Sequence, residues 1–327
     1  MYTTHVGSFP LEYSEENVLK VFHDMIEIGI DYPPYPQLRD FITIFLKPLI
    51  ENNILKEEGK KLILHKQLQE GFPPPSIDHV IYEAEKIADE LKRDENLKFM
   101  TIRGCITGPF TLSSQIQLTS KDYGLTNSLL KNKDLVLKHM VKLVRSYANY
   151  LHDKLKFKFI VIDEPILSIM VGAKKIMFEY TIEDIIKALD TILNEINFTG
   201  IHVCGIIPAI LKEILLNTKC IKVLDDEFKD TPRNFNVYSK EDLERNDKYI
   251  SLGCVSSKNI TIESEEEIMK IVNEGINRFG SRLLMIKPDC GFRTLLDISR
   301  DPNKAYEIAI EKLRRIVNVS NMLKSII

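Results

Sequence analysis

The chain has 327 residues, of which 44% are apolar and 28% are charged, and its net charge is -3. This composition is typical of a globular protein with a buried core, and it gives no electrostatic basis for binding nucleic acid or a membrane surface. The five cysteines are scattered, no apolar run is long enough to cross a bilayer and the N-terminus lacks a secretory profile, so we expect a cytoplasmic protein without a disulfide framework.

Short runs rich in β-branched residues alternate with stretches whose apolar residues recur every three or four positions, the spacing of a one-sided helix. From the N-terminus, TTHVGSF (3–9) predicts a strand, residues 15–29 predict a helix and IDYPPY (30–35) predicts a short second strand. Six further strands are predicted at FMTIRGC (99–105), FIVIDEP (159–165), GIHVCG (200–205), IKVLDDE (221–227), YISLGCV (249–255) and LLMIKPDC (283–290). Helices are predicted between them at 132–155, 182–196, 207–216 and 265–279.

Eight strands separated by helices are the number found in a closed parallel barrel. We therefore predict an α/β fold, a single (β/α)8 TIM barrel over residues 1–327, with an elaborated loop and helical stretch at about 35–95. The proline-bearing segment GFPPPSIDHV (71–80) is expected to be a long connection and not a domain linker, because the alternation resumes after it. An open doubly wound sheet is the alternative, but no glycine-rich phosphate turn follows an early strand.

Polar residues and cysteines collect where the predicted strands end. They are Gly7 and Ser8, Asp163 and Glu164, His202 and Cys204, Asp225, Asp226 and Glu227, and Asp289 and Cys290. In a parallel barrel the carboxyl ends of all strands open onto one face, which is where catalysis takes place. Barrel geometry is therefore expected to bring these distant residues together.

The pair His202 and Cys204 has the spacing at which two side chains of a strand project to the same side. Asp225 and Glu227 share a face in the same way on the next strand, and Cys290 is added from the last strand. Two sulfurs, an imidazole and a carboxylate suit zinc better than magnesium or calcium. The alternative is a hydrogen-bonded structural histidine beside an ordinary core cysteine, and core positions are what we expect for the remaining cysteines, Cys105, Cys220 and Cys254.

Four segments, THVGSFP, IDEP, HVC and KPDCGFRT, occur in this order between Thr4 and Thr294. They resemble signature segments of the C-terminal catalytic barrel of the cobalamin-independent methionine synthases, in its short single-barrel, archaeal-type form. The resemblance implies a zinc-dependent TIM barrel that transfers a methyl group to homocysteine. The implied zinc ligands are His202, Cys204, Glu227 and Cys290, with Asp225 and Asp226 as alternatives to Glu227.

The resemblance also implies how homocysteine is bound. Its carboxylate would meet the Gly7–Ser8 turn and its ammonium group would meet Asp163, since a carboxylate needs N–H donors and an amine needs a buried anion. Gln37 stands where the family has an acidic residue after the second strand. Coordination of the homocysteine thiol to zinc would provide a thiolate, which takes the methyl group in line.

The methyl donor is where this sequence departs from the family. Gln115, in TGPFTLSSQIQ, lies near the position of a tryptophan that stacks on folate, and the chain contains no tryptophan. Ser256 and Lys258 replace an Asp-x-His pair. Lys258 is then the candidate catalytic acid, but a lysine with its ordinary pKa of about 10.4 is a slow proton donor to a methyl-folate. A methylated corrinoid needs no such acid, so the donor implied is a methylcorrinoid protein, or else a methyl-folate used with a separate subunit resembling the N-terminal barrel.

Three other functions fit the same residues. A methylcobalamin:coenzyme M methyltransferase would share the barrel and the zinc but has less use for Asp163, because that thiol carries no amino group. Another zinc-dependent thiol alkyltransferase or a carbon–sulfur lyase is the second. A non-catalytic subunit that binds zinc or homocysteine is the third, and the complete set of four ligands argues against it.

Overall fold

A computed structural model describes residues 1–65, 71–73, 75–77, 80–94, 96–120 and 122–326. Within them, seven parallel strands form one sheet in the order β1-β10-β9-β8-β7-β6-β4, and three short strands form a second sheet in the order β2-β3-β5. The strands are β1 Tyr2–Thr3, β2 Leu55–Glu58, β3 Lys61–Leu64, β4 Arg103–Thr107, β5 Ile116–Gln117, β6 Phe159–Asp163, β7 Phe198–Val203, β8 Val223–Asp226, β9 Tyr249–Val255 and β10 Leu283–Pro288. The large sheet confirms the predicted α/β barrel fold.

The predicted second strand is a bridging segment, residues 31–37, between β1 and β4. On one side the Tyr32 N–H donates to the Thr3 carbonyl at 2.9 Å, and on the other the Arg103 N–H donates to the Pro33 carbonyl at 2.9 Å. The prolines of this segment have no N–H to donate, so a continuous ladder of hydrogen bonds does not form. The segment nevertheless takes the eighth position and joins the two edges of the sheet.

Helices cover the outside of the sheet. They are α1 Glu15–Ile28, α2 Thr43–Glu51, α3 Tyr82–Arg93, α4 Pro109–Gln115, α5 Lys133–Leu135, α6 Val141–Asn149, α7 Leu167–Met170, α8 Ile182–Leu193, α9 Ala209–Asn217, α10 Lys240–Arg245, α11 Glu265–Phe279, α12 Leu295–Ser299 and α13 Pro302–Ile326. The helix predicted at 132–155 comprises α5 and α6 with π-helical turns at Val136–Met140 and Tyr150–Lys154. None of the helices in the described ranges is both long and apolar enough to cross a membrane.

Local sequence signals explain where α1 begins and ends. The Ser14 hydroxyl accepts a hydrogen bond from the Asn17 N–H, and Gly29 ends the helix in the left-handed conformation at a φ of 93°. A hydroxyl at the N-cap and a glycine after the last turn satisfy backbone groups that the helix leaves unpaired. Val18, Phe22 and Met25 then lie on one buried face, as the spacing of apolar residues predicts.

The barrel interior is layered along its axis. Its lower layer is a buried apolar cluster formed by Tyr32, Phe159, Val161, Val223 and Met285. Asp163, Asp225 and Lys287 come two residues after members of this cluster on β6, β8 and β10, so they point to the same interior, nearer the carboxyl ends. Each large apolar side chain buried below contributes roughly 1.5–3 kcal/mol to stability, which helps to offset the cost of the charged layer above.

The elaborated stretch at 35–95 holds α2, the hairpin of β2 and β3, and α3. The hairpin was not predicted, because each strand has only four residues and neither alternates between buried and exposed positions; Gly59 in its turn has a φ of 61°. In the predicted connection 71–80, Pro74, Asp78 and His79 lie outside the described residues, and the others belong to no helix or strand.

Candidate metal and substrate site

Three of the four predicted metal ligands meet at the carboxyl ends of the strands. His202 lies near the end of β7, Cys204 follows that strand and Cys290 follows β10. His202 Nε2 is 3.1 Å from Cys204 Sγ, and Cys204 Sγ is 3.4 Å from Cys290 Sγ. One ligand atom from each residue lies within 4.8 Å of the others. This separation is suited to a shared ion, and the cysteines are free thiols.

The electrostatic surroundings differ for the three side chains. Burial disfavours the charged imidazole of His202, but the neighbouring Asp225 outweighs it and raises the pKa of His202 to about 10. Hydrogen bonds from Cys204 and His202 hold the pKa of Cys290 well below its ordinary value. Cys290 is therefore the more readily ionised thiol of the pair, and the thiolate is the form that binds a metal.

Asp225 contacts His202 on the side of the ring that faces away from the cysteines, and both of its carboxylate oxygens have partners there. Its Oδ1 lies 2.8 Å from His202 Nδ1 and 2.7 Å from Lys287 Nζ, and its Oδ2 accepts from Arg103 Nη1 at 2.6 Å. Burial opposes ionisation, but Arg103 and Lys287 hold the pKa of Asp225 well below its usual range. The carboxylate is thus occupied by side chains away from the sulfurs, which argues against Asp225 as the alternative ligand.

Asp226 and Glu227 have different environments. Asp226 alternates with Asp225 and so points out of the barrel interior, where burial raises its pKa to about 7 beside Tyr238. Glu227 Oε2 accepts from Lys258 Nζ at 2.9 Å and from Thr231 Oγ1 at 3.1 Å. Its Oε1 is buried and has no hydrogen-bond partner in the described part of the chain. Glu227 is not within the 4.8 Å group, so the predicted fourth ligand stands outside the group that the other three form and is paired with Lys258.

Asp289 has a role that the sequence did not reveal. Its carboxylate accepts the N–H groups of Phe228, Lys229 and Asp230 at 2.9, 3.1 and 2.6 Å. It thereby holds the loop that begins immediately after Glu227. Gly253 leaves room for it, because a Cβ there would be 2.0 Å from Asp289 Oδ1. The sequence feature that could have pointed to this role is the position of Asp289 directly before Cys290, a candidate metal ligand.

Asp163 has a carboxylate oxygen that no described residue satisfies. It ends β6, is paired in register with His202 on β7, and has a buried Oδ1 with no hydrogen-bond partner among the residues described. Burial raises its pKa to about 7, although His202 and Arg103 counteract the rise. An incoming cation would satisfy this carboxylate.

Glu164 points the other way, as alternation along a strand predicts. It accepts hydrogen bonds from the Phe110 N–H, the Thr111 N–H and the Thr111 hydroxyl at 2.9, 2.9 and 2.6 Å, at the beginning of α4. Burial raises its pKa to about 8 against the effect of these bonds. Glu164 therefore anchors a helix and does not face the metal ligands.

The predicted carboxylate-binding turn lies next to Cys290. Gly7 has a φ of 123°, and a Cβ at Gly291 would be 2.0 Å from the Ser8 hydroxyl oxygen, so Ser8 packs directly on the residue after Cys290. Gln37 is bridged to Ser8 and is 2% exposed, and its amide donates to the Tyr35 hydroxyl at 3.1 Å. The turn and Gln37 thus line the same end of the barrel as the candidate ligands.

Comparison with known proteins identifies the family. Residues 69–321 match the family described as Cobalamin-independent synthase, Catalytic domain. The chain belongs to this family. Methionine synthases from Methanocaldococcus jannaschii and Methanothermobacter thermautotrophicus are 28% and 30% identical to it over 362 and 337 residues. These alignments cover 99% and 97% of this chain and 100% and 98% of the relatives. The resemblance inferred from the four signature segments is confirmed.

A solved structure supports the fold. A B12-independent methionine synthase from Shewanella sp., in complex with selenomethionine, is similar with a TM-score of 0.70 at 15% identity, and the match covers 99% of this chain and 97% of that chain. At this identity the likeness concerns the fold alone. It agrees with the parallel sheet and surrounding helices described above.

The residues predicted to depart from the family pattern differ in their surroundings. Gln115 is exposed at the end of α4 and donates to the Ser114 hydroxyl at 3.0 Å. The Ser256 hydroxyl donates to Asp230 at 2.8 Å. Burial opposes charge on Lys258, but Glu227 outweighs it and raises the pKa of Lys258 above its ordinary value. A more basic lysine is a still poorer acid near neutral pH.

The other cysteines occupy ordinary positions. Cys105 and Cys254 are buried and Cys220 is half-buried. The Cys105 thiol donates to the Val6 carbonyl at 3.0 Å. Burial raises the pKa of Cys105 to about 12, so it remains a neutral thiol, as expected of a core residue.

Proposed function

We propose that this chain is a zinc-dependent methyltransferase that methylates the sulfur of homocysteine and so forms methionine. The observation that carries the proposal is the meeting of His202, Cys204 and Cys290, whose ligand atoms all lie within 4.8 Å of one another. Membership of the cobalamin-independent methionine synthase family supports homocysteine as the methyl acceptor.

The chemistry of the donor set fits zinc. Two thiols and an imidazole are soft or intermediate ligands that zinc prefers, whereas magnesium and calcium require oxygen. Glu227 is the proposed fourth ligand, since its buried Oε1 has no partner in the described ranges, an unsatisfied buried oxygen is costly unless a ligand pairs with it, and Asp226, whose oxygens are also unpaired there, points out of the barrel interior. When bound, zinc would favour the thiolate form of a coordinated thiol at neutral pH.

The chain's own residues would orient the amino acid. Asp163 is proposed to bind the ammonium group, because its free, buried Oδ1 gains a strong charge-assisted hydrogen bond from a cation. Gly7 and Ser8 would bind the carboxylate at the turn that packs against Gly291. Anchored at both groups, homocysteine would have its sulfur directed toward His202 and the two cysteines. That sulfur attacks the methyl carbon of the donor, which keeps the bonding electron pair.

A methylated corrinoid, delivered by a partner protein, is the proposed donor. Transfer from a corrinoid needs no protonation of the leaving group. This agrees with the presence of Lys258, which is paired with Glu227 at 2.9 Å, at the position where a folate-using enzyme would need an acid. Gln115 is exposed on the rim and would lie on the donor's side of the site. A methyl-folate donor would require a positioned acid.

The test is a comparison of donors. Zinc-loaded protein should form methionine from homocysteine and methylcobalamin, and much less from methyltetrahydrofolate, in the presence and absence of a candidate corrinoid or barrel-like partner. Bound metal should be measured on the same preparation. Protein that binds zinc but forms no methionine with either donor or partner would overturn the proposed activity, and protein that binds no zinc would overturn the proposed site.

A further inference from the structure

We propose that Asp225, held between Arg103 and Lys287, is the positioning residue that fixes the imidazole of His202 for metal binding. This inference rests on the proposed function, because it takes His202 as a metal ligand. It assigns a role to three buried charged residues that come from three different strands.

The contacts of His202 determine which ring nitrogen would keep its proton when the other binds a metal. Its Nδ1 lies 2.8 Å from Asp225 Oδ1 and 3.0 Å from the Asp225 carbonyl oxygen. A carbonyl oxygen only accepts hydrogen bonds, so Nδ1 is the donor. Nε2, which is 3.1 Å from Cys204 Sγ, is then the nitrogen that faces the sulfurs and is available to a metal. A hydrogen-bond acceptor at Nδ1 of a histidine that binds a metal through Nε2 fixes both the tautomer and the orientation of the ring.

The carboxylate of Asp225 is itself held from two sides. Arg103 reaches it from β4 across the barrel at 2.6 Å, and Lys287 reaches it from β10 at 2.7 Å. The side chains of these three residues are fully buried. A buried carboxylate is stable only where charge and hydrogen bonds compensate its lost hydration. With both oxygens engaged, Asp225 cannot rotate away from His202.

Lys287 also connects this arrangement to the second strand that carries a ligand. Its ammonium group donates to the carbonyl oxygens of Pro288 and Asp289, each at 2.9 Å. The Asp289 carbonyl belongs to the peptide that leads into Cys290. One lysine thus contacts both the acid behind His202 and the backbone before Cys290, so it ties the geometry of one ligand to that of the other.

The experiment compares variants in the full chain. Asp225→Asn removes the charge at constant shape, and Lys287→Met removes one of the two supports. Zinc affinity is measured by competition with a chromophoric chelator, and ligand geometry by the visible absorption of cobalt(II)-substituted protein. We expect Asp225→Asn to weaken zinc binding by roughly 10- to 100-fold, the usual effect of losing a residue that orients a ligand, and Lys287→Met to weaken it less. Both should shift the cobalt bands.

The matched control breaks a different buried ion pair. Glu83 pairs with Arg39, with Arg39 Nε 2.7 Å from Glu83 Oε1, and neither residue contacts the candidate ligands. Glu83→Gln should lower thermal stability but leave zinc affinity and the cobalt spectrum unchanged. A similar loss of zinc in this control would attribute the effect to general destabilisation and overturn the inference.

The outcomes separate this inference from the proposed function. If wild-type protein binds no zinc, both fall. If wild-type protein binds zinc and the Asp225 and Lys287 variants bind it equally well with unchanged cobalt bands, only the positioning role falls. If Asp225→Asn does not fold, Lys287→Met alone decides: weakened binding with shifted bands supports the role, and unchanged binding overturns it.

Discussion

The carboxyl ends of β6 and β8 carry the same kind of residue in opposite environments. On β6 the inward acid, Asp163, has a free buried oxygen, whereas the outward acid, Glu164, accepts three hydrogen bonds. On β8 the inward acid, Asp225, is fully paired, and it is Glu227, one residue beyond the strand, that keeps a free oxygen. The difference teaches that the role of a strand-end acid depends on both its partners and its direction: a hydrogen-bonded acid supports the structure, whereas an inward acid with an unpaired oxygen is a candidate for ligand binding, and Asp226, whose oxygens are also unpaired in the described residues, points away from the site.

The largest expected effect tests whether the strand ends hold a metal at all. Cys290→Ser should reduce bound zinc from about one ion per chain to a small fraction, and methionine formation should fall to background, because a hydroxyl is a poor substitute for a thiolate. Metal is measured by plasma mass spectrometry of purified protein. Cys220→Ser, a half-buried cysteine outside the site, is the matched control and should keep its zinc. Full metal content in Cys290→Ser would remove this residue from the ligand set.

The unpaired acid of β6 is expected to act on substrate and not on metal. Asp163→Asn should raise the KM for homocysteine by roughly 10- to 100-fold, since a hydrogen bond to a charged group is worth about 1.5–3 kcal/mol. Steady-state kinetics at saturating donor, together with zinc analysis, would check it. Equal losses of zinc and of homocysteine binding would instead make Asp163 structural.

Glu164, the hydrogen-bonded acid at the end of β6, should affect stability and not the binding of homocysteine. Glu164→Gln replaces an acceptor by an amide that cannot accept from all three donors of Phe110 and Thr111, and should lower the free energy of unfolding by about 1–3 kcal/mol. The KM for homocysteine should stay near the wild-type value. Urea denaturation gives the first quantity and kinetics the second; a raised KM at unchanged stability would contradict the comparison.

The smallest change in turnover is expected when the ion pair between Lys258 and Glu227 is broken. Lys258 is 54% exposed but its partner Glu227 is 1% exposed, so Lys258→Met removes a charged partner from a buried carboxylate and should lower the free energy of unfolding by about 1 kcal/mol, while turnover with methylcobalamin should be nearly unchanged. If Lys258 were instead the acid that protonates the donor, turnover would fall by about 100-fold or more. Initial rates with each donor distinguish the two roles.

Part of the site could be predicted because it depends on local geometry. The spacing of His202 and Cys204 places both side chains on one face of a strand whatever lies around them. The position of Cys290 after a predicted strand was enough to place it on the same face of a parallel barrel. The contrast of Asp163 with Glu164 follows from alternation in the same way.

The partners of Asp225 could not be predicted. Arg103 precedes it by 122 residues and is on a strand three positions away in the sheet, so the contact depends on how side chains cross the barrel interior. The bonds from Asp289 to the loop after Glu227 depend likewise on the close approach that Gly253 permits. The four-residue strands Leu55–Glu58 and Lys61–Leu64 do not alternate between buried and exposed positions, so their pattern is too weak to be recognised.

The order of strands and helices, the face on which each strand-end residue lies and the soft character of the donor set were determined by the sequence, because they follow from the two- and three-to-four-residue periods of apolar residues and from side-chain chemistry. Only the tertiary structure decided which acids are paired and which are free. That outcome is set by distances of a few ångströms between residues far apart in the chain, and the free energy of a buried charge changes sharply over such distances.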